Sequence, residues 1–82
     1  MALFLGVHKL SQEMSAEDVE AGFEKYKQSA REAGLTPISA VYSMEKEFAY
    51  CQTIANSAQQ VREAHEKVEI PLEDVVEVQK LD

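Results

Sequence analysis

The chain predicts an α+β domain of the ferredoxin-like type: a split βαβ (βαββαβ) with a four-stranded antiparallel sheet and two helices on one face. Two observations predict it. Apolar residues switch between a two-residue and a helical period in the order strand, helix, strand, strand, helix, strand. The 82 residues also leave room for one core, so residues 1–82 are read as a single domain.

The opening ALFLGVHK, residues 2–9, is short and rich in large apolar side chains, as a strand requires. It lacks a basic leader and is broken by His8 and Lys9, so it is not read as a signal peptide. In SAEDVEAGFEKYKQSAREAG, Ser15 and Asp18 form a capping pair, and Val19, Phe23, Tyr26 and Ala30 recur at helical spacing. Gly34 suits the left-handed residue that ends a helix. Pro37 opens a strand in which Ile38, Ala40, Tyr42 and Met44 alternate with Ser39, Val41 and Ser43. A turn near Glu45 and Lys46 leads into EFAYCQTI, completing a hairpin. Asn56 and Gln59 offer a second capping pair, followed by a stripe of Ala58, Val61, His65 and Val68. The turn IPLED precedes a last strand in which Val76 and Val78 share a face.

In this topology the first and third strands are central. Leu3, Leu5 and Val7 oppose Phe4 and Gly6 in one, and Phe48, Tyr50 and Ile54 oppose Ala49, Cys51 and Thr53 in the other. Central strands apolar on both faces, with helices for only one, call for a cover on the second face. A second copy of the chain is the simplest cover. Size argues the same way, since a chain this short buries only about 60–65% of its unfolded surface. Such domains add a disulfide, a metal or a partner. Cys51 is the only cysteine, which excludes an internal disulfide and suits a reducing, cytoplasmic setting.

Fifteen acidic residues against eight basic ones give a net charge of −7, which repels phosphate backbones and argues against nucleic acid. No apolar run approaches the ~20 residues that span a bilayer, so no membrane partner is expected.

The candidate metal ligands are His8, Cys51, His65 and Glu66, a mixture of imidazole, thiol and carboxylate that suits nickel or zinc. No CxxC or HxxxH spacing links them, so only the fold could assemble them. Each has a simpler role available. Cys51 can be a small buried side chain, and His65 can be a core residue with its ring nitrogens satisfied by a carbonyl or a tyrosine hydroxyl. Helical geometry turns Glu66 by about 100° from His65, towards solvent. A nucleophilic Cys51 with His65 as base lacks a recognisable orienting group, so the chain is read as binding a metal ion or a small ligand, with no reaction assigned. Tyr42 and Tyr50, with Phe4 and Phe48, could instead line an apolar pocket. That would suit an enzyme of the cofactor-independent oxygenase kind acting on a small hydrophobic compound.

The segment FAYCQTIANSAQQVREAHEKVEIPLEDVVEV resembles the second half of a family of short bacterial proteins of unknown function, described through a nickel-binding member. The resemblance rests on Phe48 to Cys51, Ala55-Asn56, Ala64-His65, Ile70-Pro71-Leu72 and Val76-Glu77-Val78, somewhat less than half of the chain. It departs at Asn56, where proline is common, and at His8 and Lys9, where an acid and a base are common. The family is similar in fold to dimeric α/β-barrel proteins. The resemblance implies a ferredoxin-like homodimer and a divalent transition metal such as nickel.

Overall fold

The computed structural model describes residues 1–81. The elements follow the expected order: β1 (Ala2–Lys9), α1 (Ala16–Glu32), β2 (Thr36–Ser43), β3 (Phe48–Ala55), α2 (Ala58–Glu66) and β4 (Asp74–Val78). All pairings are antiparallel and the strand order is β2-β3-β1-β4, so β1 and β3 are central, as their two-sided apolar pattern requires.

Helix α1 starts at a complete capping box. The Ser15 hydroxyl accepts from the Asp18 amide, and the Asp18 carboxylate accepts from the Ser15 amide. It ends at Ala33, with Gly34 at φ +81°. The start of α2 differs from the sequence reading. Its cap is Ser57, whose hydroxyl accepts from the Gln60 amide, while the Gln60 side chain accepts from the Asn56 amide. The cap therefore sits one residue later than Asn56, at a serine in extended backbone whose short side chain reaches a free N–H of the first turn.

Register decides which face each strand residue takes. Phe4 pairs with Thr53, Gly6 with Cys51 and His8 with Ala49, all on the side covered by the helices. Phe4, Tyr26, Ala30, Leu35, Cys51, Ala55, Val61, Ala64 and Val75 form the core there. The opposite face shows Leu3, Leu5, Val7, Phe48, Tyr50 and Ile54, with Val41 from β2 and Val76 and Val78 from β4. Phe4 is therefore core and no part of an open face. The aromatic quartet suggested by the sequence is split, with Phe48 and Tyr50 packed together at 4.9 Å between ring centroids. No helix among the described residues is long and apolar enough to cross a membrane.

Candidate metal centre

Three of the four residues singled out as ligands converge. His8 comes from β1, Cys51 from the middle of β3 and His65 from the last turn of α2. One ligand atom from each lies within 4.8 Å of the others. His8 Nε2 is 3.4 Å from Cys51 Sγ, and His65 Nε2 is 3.5 Å from the same sulfur. Neighbouring ligands around a four-coordinate ion with bonds of about 2.0–2.3 Å stand roughly 3.3–3.7 Å apart, so these two edges already have the right length. Glu66 is exposed and lies outside the cluster, on the solvent side of α2 where helical geometry puts it.

Backbone carbonyls set both imidazoles. His65 Nδ1 is 2.8 Å from the Val61 carbonyl one turn earlier, and His8 Nδ1 is 3.0 Å from the Pro71 carbonyl. A carbonyl only accepts, so each Nδ1 carries the proton and each Nε2 presents a bare lone pair to the sulfur. This is the arrangement that orients metal-binding histidines. The Pro71 carbonyl reaches His8 because the chain reverses just after α2, where Glu69 takes a left-handed φ of +59°. The Tyr26 ring stacks on His65 at 3.8 Å between centroids, and its hydroxyl is 2.6 Å from Thr53 Oγ1, which holds the ring as a wall of the site.

The environment keeps the groups uncharged. Burial pushes the His65 imidazole down to about 4, against the pull of the Val61 carbonyl, and neighbouring His8 lowers it further. Burial lowers His8 as well, while the Pro71 carbonyl opposes the shift. The Cys51 thiol rises to about 11 through burial, partly offset by the Gly6 and Cys51 backbone amides. These directions are opposite to those of an activated thiolate–imidazolium pair, so a nucleophilic Cys51 is disfavoured.

Proton counting then exposes a shortage. Two Nε2 lone pairs and one sulfur share a single thiol proton, which can serve only one imidazole at a time. A divalent ion in place of that proton satisfies all three atoms, so the donor set fits a transition metal.

Gly6 makes the convergence possible. A Cβ there would stand 2.7 Å from Cys51 Sγ, 3.3 Å from Leu72 Cδ2 and 3.6 Å from His65 Cε1. The only sequence signal for Gly6 is its place inside a central strand, where glycine marks a close approach. In the sequence Tyr26 shows only as part of a helical stripe, and the Val61 and Pro71 carbonyls leave no signal.

Fold and site together define a ferredoxin-like protein with a His-Cys-His cluster under its second helix, Cys51 and His65 buried and His8 partly so. Residues 4–78 match the model of the nickel responsive protein SCO4226-like family, and the chain belongs to that family. Its fold is similar to that in the crystal structure of SCO4226 from Streptomyces coelicolor A3(2), with a TM-score of 0.87 at 17% identity, covering 99% of this chain and 100% of that one. No curated protein sequence matches the chain.

Proposed function

We propose that the protein is a cytoplasmic homodimer that binds a divalent transition ion, nickel in the first place, through His8, Cys51 and His65. The observation that carries the metal assignment is the pair of imidazoles fixed by carbonyls with both Nε2 atoms on one sulfur. Membership of a nickel responsive family supports nickel over zinc. His8 and His65 supply neutral nitrogen ligands, Cys51 supplies a thiolate once its proton leaves, and Gly6 keeps the space between them. Three protein ligands leave a further coordination position, and all three residues also line a cavity. When bound, the ion supplies Lewis acidity at that position.

The second copy covers the open sheet face. At strand spacings of about 4.8 Å and about 3.3 Å per residue, four strands of up to eight residues present a flat footprint of roughly 500 Å². That is the order of what a standard interface buries per partner. The centre of this face carries no charged residue, so docking there brings no like charges into direct contact.

Titration calorimetry with nickel on untagged, chelator-treated protein tests the metal assignment. A single ion per chain is expected, with a thiolate-to-metal absorption band. Affinity should fall at least about 100-fold in His65→Gln and in Cys51→Ser, because glutamine and serine are poor ligands for such ions. Glu66→Gln should bind as the parent does. Absence of stoichiometric uptake, or equal losses in Glu66→Gln and His65→Gln, would overturn the assignment.

A further inference from the structure

Between the N-terminal half of α1 and the sheet lies a cavity of about 440 Å³, a size that small organic ligands fill. The histidines and the thiol border it, and Leu10, Met14, Val19, Phe23 and Ile70 make most of its wall apolar. Small residues keep it open. Gly22 occupies the interior of α1, where glycine is a poor helix former, and a Cβ added there would meet nothing within 4 Å. Ala40 and Ala49 line the strand side of the same space. The space is a cleft open to solvent on one side, and the small residues on both of its walls leave it unfilled by the chain's own side chains.

The chemistry of the lining narrows what could fill it. The proton shortage leaves an imidazole lone pair that a hydroxyl could donate to, in an otherwise apolar space. Asp18, Glu20, Glu24 and Glu69 outnumber Lys9 around the cavity, which disfavours anions. Phe23, only partly buried, offers aromatic surface. We propose that this cavity binds a small neutral aromatic molecule with one hydroxyl, of the alkylphenol class, its O–H directed at His8, the imidazole of the pair that is only partly buried. This binding requires no metal ion and is assigned to the metal-free protein, because a bound ion would occupy the same lone pair.

Titration calorimetry on the full, chelator-treated protein tests it with 4-ethylphenol, ethylbenzene and 4-ethylbenzoate. The phenol should bind at least about 10-fold tighter than ethylbenzene, which cannot satisfy the lone pair, and the anion should bind weakest. Gly22→Leu fills the cavity from a helix that gains propensity by the change, and should weaken 4-ethylphenol at least about 10-fold with nickel uptake unchanged. Ala49→Val fills it from the strand side and should act in the same direction, whether or not Gly22→Leu folds. Equal affinities for the phenol and ethylbenzene, unchanged binding in the folded cavity variants, or no binding at millimolar concentration would each overturn the proposal. A protein that binds 4-ethylphenol in this pattern but takes up no nickel supports the cavity assignment and overturns the metal reading alone.

Discussion

Along the same two central strands, the residues facing the helices are mostly small and those facing away are mostly large. Gly6, Ala49, Cys51, Thr53 and Ala55 lie under the helices, while Leu3, Leu5, Val7, Phe48, Tyr50 and Ile54 lie on the open side. The helices bring their own volume in Tyr26, Val61 and His65, all 1% exposed, so the sheet beneath them has to be low. The open side has no helix to meet, and its large side chains suit another surface. One face is therefore tuned for close approach and chemistry, the other for apolar area.

Acid should separate the faces most, because titrating groups cluster on the helix side. In metal-free protein His65 is held at about 4 against an ordinary 6.5. The unfolded chain then binds more protons between these values, so stability present above pH 6.5 is lost as pH falls towards 4. The loss is about 3 kcal/mol for His65, and His8, also lowered, adds to it. Cys51, raised from 9.0 to about 11, makes stability fall again as pH rises through that range. Urea titrations across pH with chelator present should give a maximum between about 7 and 9. A flat profile from pH 7 to 4 would contradict the buried, neutral imidazoles.

A single methyl group sharpens the contrast next. Gly6→Ala places a carbon 2.7 Å from the sulfur, where it should cost about 2–3 kcal/mol and abolish tight nickel binding. Alanine at Gly34, where the difficulty is a positive φ alone, should cost about 1 kcal/mol and leave nickel binding intact. Equal nickel affinity in the two variants would remove the role given to Gly6.

Charge on the open face should do the reverse. Tyr50→Glu should weaken dimerisation by about 2 kcal/mol, roughly 30-fold in Kd, with nickel stoichiometry preserved in the monomer. Val41→Glu changes a side chain 61% exposed in the single chain, so it should release monomers with little cost to the fold. Sedimentation at micromolar concentration reads both, and a parent protein that is already monomeric would refute the interface.

The smallest effect should come from Ser29→Ala. It removes the 2.8 Å hydrogen bond that runs from the Ser29 hydroxyl of α1 to the Ala64 carbonyl of α2. About 1 kcal/mol of stability should go, with metal binding and dimerisation unchanged. A measurable loss of nickel affinity would show that the helix spacing also sets His65.

Element order, strand centrality and the first helix cap were legible in the chain, because each rests on local periodicity or on side chains three or four residues apart. The inward turn of His65 and the outward turn of Glu66 were legible for the same reason: one residue along a helix is a fixed rotation. Only the tertiary structure decided the rest. Register, not residue type, put Gly6 opposite Cys51 and His8 opposite Ala49 on the helix side, and so assigned Phe4 to the core. The Pro71 and Val61 carbonyls that fix the imidazoles are backbone groups, identical in every residue and silent in a sequence. The cluster joins residues from the first strand, the third strand and the second helix, and nothing local specifies how far apart their side chains end.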